Sequence, residues 1–168
     1  LNRDGDLTAL AKKAYGRDSI DPYVITRALA CFQRTFVSGD SRLDRFNLGQ
    51  KDQMNAPELR GKDLFFSERT QCSSCHSGVF FTDMDYHNIG LSLAYADPGK
   101  ARATHEAEDV GKFKTPTLRN IQLTSPYMHD GSMSSLEEVI AFYNQGGEPH
   151  ENRDVRIQPL NLSDQEQA

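Results

Sequence analysis

No apolar run in the sequence approaches the ~20 residues that a membrane-spanning helix needs, which excludes a helical transmembrane segment. A basic stripe is also missing. Lys and Arg number 19 against 24 Asp and Glu, a net charge of −5, so nucleic acid is a poor partner. There is no tryptophan, no internal repeat and no low-complexity tract, and only three cysteines. At its start the chain has no initiator Met, no basic n-region and no apolar h-region, so a signal peptide is expected to be absent from it. At its other end, Ser163 and Glu166 in NLSDQEQA have the spacing of a helix capping box, with room for barely one turn after it. Both ends read as cuts, and the chain is expected to be a fragment of a longer protein. What is present is ordinary for one soluble domain with a real core: 168 residues, 37% apolar and 26% charged.

The pattern is mainly helical. DGDLTALAKKAYG has Asp6 as an N-cap, an apolar face of Leu7, Leu10, Ala11 and Ala14, and a stop at Gly16. In IDPYVITRALACFQRTFVSG, Asp21 caps, Pro22 takes the first helical position and Gly39 ends the helix. Ile25, Ala28, Leu29, Phe32 and Phe36 fall on one face there, predicting a core-facing stripe. The lone Cys31 on that helix reads as a buried thiol acting as a small hydrophobe. A third helix starts near Pro57. Residues 77–125 are rich in Gly, Asp, Asn and Pro and predict ordered loops with at most a short hairpin. MSSLEEVIAFYNQGG is the last full helix, capped by Ser134 or Ser135 and ended by Gly146 or Gly147.

The chemistry is announced by RTQCSSCHSG, in which Cys72, Cys75 and His76 form C-x-x-C-H. This is the attachment signature of a c-type haem. Cysteines three apart on one turn can form thioethers to the two vinyl groups on one porphyrin edge, and the next residue then swings its imidazole under the iron. A zinc half-site would need a second pair of ligands at fixed spacing, and none follows. A thioredoxin-like pair would need a βαβ setting, which the flanks do not supply. The second axial ligand stays open on the residues alone: Met128, His129 and Tyr143 are candidates, with Met133 and His150 behind them.

Taken in order, GKDLFF, QCSSCHSGVFFTDMDYHNIG, DVGKFKTPTLRNIQLTSPYMHDGSMSSLEEVIAFYNQGG and IQPLNLSDQE resemble the C-terminal haem domain of the dihaem cytochrome c peroxidase/MauG superfamily. ITRALACFQRTFVSGDSRLDRF is similar to the segment leading into that domain. The resemblance implies a mainly α, cytochrome c-like domain wrapped around one covalent haem c with long ordered loops. Residues 1–50 would be a helical lead-in from an N-terminal haem domain, and 51–168 the haem domain itself, its last helix cut short. Counting seven residues from Leu136, as the family pattern does to its distal ligand, reaches Tyr143, the place of the ligating Tyr in the MauG branch. Tyr143 is therefore the preferred distal ligand and Met128 the alternative.

Further roles follow only from the resemblance. The backbone carbonyls of Thr124 and Pro126 would give half of a Ca2+ site shared with the N-terminal domain. His129 falls on a loop histidine near the haem, and His87 in DYHNIG would pack in the haem pocket. Arg119 and Lys114 are candidates for the haem propionates, which a guanidinium suits. His105 and His150 are expected to be solvated. The function implied is that of a relay haem in an oxidoreductase acting on hydrogen peroxide. Its oxidising equivalents would be shared with a peroxide-reactive haem in the N-terminal domain, and the isolated fragment would be inactive. A small redox protein as electron donor, or a protein substrate, is the expected partner. The rivals are a monohaem electron carrier, usually shorter and with its motif nearer the start, and a haem-based sensor. Covalent attachment of haem takes place outside the cytoplasm, so a bacterial periplasmic location is expected.

Overall fold

A computed structural model describes residues 1–167 and divides the chain into two compact units, Leu1–Ser41 and Arg42–Ala168. It is helix-rich with little sheet: α-helices and short 3-10 turns, plus one two-stranded ladder.

In the first unit, α1 (Gly5–Tyr15) is capped by Asp4, whose carboxylate accepts from the backbone N–H groups of Asp6 and Leu7 at 3.0 and 3.1 Å. The cap thus lies two residues before the expected Asp6, which instead places its charge at the positive end of the helix. α2 (Pro22–Gln33) starts as its sequence predicts, with Asp21 accepting from Val24 N–H at 2.9 Å. It ends well short of Gly39. The N–H groups of Thr35 and Phe36 reach back only three residues, to the Phe32 and Gln33 carbonyls, and the Thr35 hydroxyl donates to Phe32 O at 2.7 Å. Such tight bonds and a competing hydroxyl close the last turn and release the chain. This unit fully buries only Ala11 and Val24 among its apolar side chains. The expected stripe forms but is not core: Leu29, Phe32 and Phe36 are 55%, 59% and 65% exposed. Two short helices have too little surface to cover that face, and Cys31 is exposed for the same reason.

The second unit begins with α3 (Arg42–Asn47), followed by α4 (Ala56–Phe65). Asn55 and Glu58 form a reciprocal capping box at the start of α4, an arrangement worth about 1 kcal/mol. The long middle segment is looped as predicted. Within it, β1 (Tyr86–His87) pairs antiparallel with β2 (Phe113–Lys114), Tyr86 opposite Lys114 and His87 opposite Phe113, and α5 is Ala101–Thr104. α6 (Leu136–Gln145) is capped by Ser135 in a second box with Glu138. Gly146 closes α6 at φ 86°, and a Cβ there would come within 2.6 Å of the Pro159 nitrogen, so only glycine serves. α7 is Asp164–Gln167, with Ser163 and Glu166 bonded as their spacing predicts.

Polar ties, more than an apolar core, organise this unit. Ala101 is its one fully buried apolar side chain among the described residues, beside buried Thr70, Asn88, Asp109 and Thr115. Asn88 is wholly enclosed: its amide donates to Val110 O and His150 Nδ1 and accepts from Gly90 N–H and the Tyr95 hydroxyl. His150, expected to be solvated, is therefore a partly buried acceptor in a loop network, also receiving Asn152 N–H at 3.0 Å.

Candidate cofactor site

Cys72–Ser74 form a single 3-10 turn, entered through Gln71 at φ 53°. The N–H groups of Cys75 and His76 both close on Cys72 O, at 3.3 and 2.9 Å. One turn thus presents two half-buried free thiols and an imidazole together. The His76 Nδ1 lies 3.0 Å from Phe81 O. A carbonyl only accepts, so Nδ1 carries the proton and Nε2 keeps its lone pair for a metal. Burial pushes the His76 pKa down, which favours this neutral, ligating form.

Tyr143 comes from α6, seventy residues along the chain. Burial, and after it the nearby sulfurs of Cys72 and Cys75, push its phenol up to about 12. Tyr143, itself partly buried, therefore lies near enough to both thiols to feel their charge. Its neighbour Phe142 packs against it edge to face at 5.2 Å. Met128 lies instead in the loop bridged by Tyr127 and Met133, on a left-handed backbone at φ 69°.

Beside the turn, Phe81, whose carbonyl faces His76, is only partly buried and meets Phe65 edge-on at 6.2 Å. The donor set is two thiols, one neutral imidazole and one phenol, bordered by aromatic surface. That set fits a covalently attached haem: sulfurs for the vinyl edge, a nitrogen and an oxygen for the iron.

His87 sits beside the motif, with donor atoms of Cys75, Asp83 and His87 all within 4.8 Å of one another. Both ring nitrogens are engaged, Nε2 with Asp83 at 2.8 Å and Nδ1 with Asp154 at 2.9 Å. Arg156 closes the group through Asp154 at 2.6 Å and His87 Nδ1 at 3.0 Å, and it holds the Asp154 carboxyl far below the usual range. Burial raises the Cys75 thiol, against the pull of the Arg156 guanidinium.

Of the remaining expected residues, His129 is an exposed side chain stacked on Phe113 at 3.6 Å. Lys114 is exposed on β2, and Thr124 and Pro126 are exposed in their loop. Arg119 commits its guanidinium to Asp44, at 2.8 and 3.0 Å, and to Val79 O at 2.6 Å. His105 is exposed. Sequence reading missed Asp83, Asp154 and Arg156. Only Asp83 had a signal, its place in DMDYHNIG; Asp154 and Arg156 lie in an irregular segment with no periodicity to mark them. It also missed Arg69, which ties the motif to the C-terminal segment through Asn161 O and Glu166, both at 2.6 Å.

The family model for di-haem cytochrome c peroxidase matches residues 1–52. The chain is 38% identical over 160 residues to the methylamine utilization protein MauG of Methylorubrum extorquens, covering 94% of this chain and 45% of that protein. It is 33% identical to the cytochrome-c peroxidase IdrP1 of Denitromonas iodatirespirans, covering 96% and 51%. A solved structure of a MauG-like protein associated with microbial copper homeostasis superposes with a TM-score of 0.87 at 34% identity, over 98% of this chain and 56% of that one. The chain spans about half the length of the curated relatives it matches. It belongs to the dihaem cytochrome c peroxidase/MauG superfamily.

Proposed function

We propose that this chain is the electron-relay haem domain of a dihaem peroxidase-like oxidoreductase acting on hydrogen peroxide, working with a peroxide-reactive haem in a domain N-terminal to it. The observation that carries the reading is the C-x-x-C-H turn itself, which presents Cys72, Cys75 and a neutral His76 together, with Tyr143 near enough to feel both sulfurs. Membership of the family implies haem c, which when bound supplies one-electron redox chemistry at its iron. Cys72 and Cys75 hold it by thioethers, and His76 offers Nε2 from one side.

Tyr143 offers its oxygen as the second axial ligand, with Met128 as the alternative. A phenol pushed up to about 12 keeps its proton at neutral pH unless a cation lies against the oxygen, so ligation and deprotonation go together. An anionic oxygen donor favours ferric and higher oxidation states and lowers the potential relative to a thioether. With His76 and Tyr143 both holding the iron, the bound haem would have no open position for peroxide, and this domain would contribute no catalytic residue. Residues 1–50 serve as the lead-in and 51–168 as the haem domain. Lys114 is free to face a propionate, His87 packs at the attachment edge, and Thr124 and Pro126 offer carbonyls to a Ca2+ shared with the N-terminal domain. The electron donor is a small redox protein, or the electrons come from a protein substrate. Covalent attachment of haem c takes place outside the cytoplasm, which supports a periplasmic location. No helix among the described residues is long and apolar enough to cross a membrane.

The test is the ferric spectrum of the haem-loaded chain. Tyr143→Phe is expected to lose the low-spin signature and Met128→Leu to keep it; the opposite pattern moves the ligand to Met128. Peroxide turnover by this chain alone should stay at background, and robust turnover refutes the relay reading.

A further inference from the structure

The turn that faces His76 is held in a conformation its own residues do not favour. Phe81 has φ 52°, in the left-handed region that costs an aromatic L-residue about 1 kcal/mol or more. Its carbonyl is nevertheless the partner of the His76 Nδ1–H at 3.0 Å. A strained residue persists only where its surroundings over-determine it. Here the determinants are hydrogen bonds within the turn and from outside it. Phe81 N–H bonds Gly78 O at 3.2 Å, and Thr82 N–H bonds Ser77 O at 3.0 Å. From outside the turn, Arg119 Nε donates to Val79 O at 2.6 Å and the Thr117 hydroxyl donates to Phe80 O. The Arg119 guanidinium also lies 5.5 Å from the centre of the Phe81 ring. Its two terminal nitrogens are fixed by Asp44 in a bidentate pair, and the Arg119 side chain is only 10% exposed.

Arg119 therefore grips both the backbone and the ring of this turn, and Asp44 neutralises its charge and anchors it to α3. That leaves little of the guanidinium for a haem carboxylate. We propose that Arg119, held by Asp44, is a positioning residue for His76: it keeps the Phe81 carbonyl aimed at Nδ1–H and so sets the orientation and basicity of the imidazole. The inference rests on reading His76 as the iron ligand. A hydrogen bond to the far nitrogen of a ligating imidazole makes the ring a stronger donor, which stabilises the ferric state. Loosening the turn has the opposite effect.

The experiment uses the haem-loaded chain as wild type, Arg119→Gln, Arg119→Lys and Asp44→Asn, with Arg102→Gln as an exposed control. Two quantities are read: deuterium exchange of the iron-shifted imidazole N–H by proton NMR, and the reduction potential. In Arg119→Gln the exchange should be roughly ten-fold faster, the ratio that loss of one net hydrogen bond gives, and the potential more positive. Asp44→Asn should move both in the same direction by less, Arg119→Lys should recover part of the loss, and Arg102→Gln should move neither. Unchanged exchange and potential in Arg119→Gln overturn the proposal. If that variant does not load haem, unchanged values in Asp44→Asn overturn it instead. A wild-type spectrum with no iron-shifted imidazole N–H overturns the ligand reading and this inference with it, whereas its presence alongside unaffected variants overturns this inference alone.

Discussion

Replacing Asn88 tests whether polar ties hold the haem-side loops together. The Asn88 amide makes all four hydrogen bonds of which it is capable, to Val110 O at 3.1 Å, His150 at 3.2 Å, Gly90 N–H at 2.8 Å and Tyr95 at 2.9 Å. Asn88→Ala strands the Gly90 N–H, which is fully buried, and weakens three partners that lie nearer to water. An unsatisfied buried group costs about 1–3 kcal/mol, so the stranded Gly90 amide accounts for about 2–3 kcal/mol, while its three partly exposed neighbours turn to water and add little, for a loss of about 3 kcal/mol. For a chain of this size that lowers Tm by roughly 10 °C. The assay is thermal unfolding of the haem-loaded chain followed by far-ultraviolet circular dichroism. Asn88→Asp keeps the two acceptor bonds but loses both donors and buries a charge. It should be destabilised as well, and recover as the pH falls and the carboxyl protonates. A Tm change for Asn88→Ala under about 2 °C, the size a surface substitution gives, would refute the reasoning.

Other outcomes follow from the same geometry. Cys72→Ser and Cys75→Ser should each leave one thioether, and the double replacement none, so that haem is extracted by acid acetone from the double variant alone. Ser135→Ala removes the cap of α6, costing about 1 kcal/mol and roughly 3 °C in Tm by circular dichroism. Glu166 is held down to about 2 from 4.5 by Arg69. A depressed carboxyl contributes stability above its unfolded value and loses it as pH falls, so the C-terminal segment should loosen between about pH 4.5 and 2. Hydrogen exchange over residues 160–167 should show this in the wild type and show no such pH step in Glu166→Gln.

Helix starts were legible because their signals are local. Asp21 with Pro22, Pro57, and the paired Ser134 and Ser135 ahead of an acidic first turn each mark a helix start to within a residue or so. Legibility failed where competition was decided by distant or weak contacts. α2 stopped early because Thr35 and Phe36 found tighter bonds, and nothing in the periodicity of Phe32 and Phe36 says which helix ends first. Leu29, Phe32 and Phe36 show that an amphipathic period predicts which residues share a face without saying what covers it. Arg119 shows a similar limit. A cation expected near a haem suggests a carboxylate partner, but only the fold reveals that Asp44 already fills that role.

Local sequence alone determined the reactive turn, since Cys72, Cys75 and His76 are joined by bonds that close within five residues. It also placed α6 and with it the seven-residue step from Leu136 to Tyr143. The tertiary structure decided what no local rule reaches: Tyr143 brought near both sulfurs, the Phe81 carbonyl set on the imidazole, and Asp83, His87, Asp154 and Arg156 gathered at Cys75 from segments nearly seventy residues apart. Hydrogen-bond direction and charge compensation at a site depend on which loops meet there. That meeting is a property of the whole chain's packing.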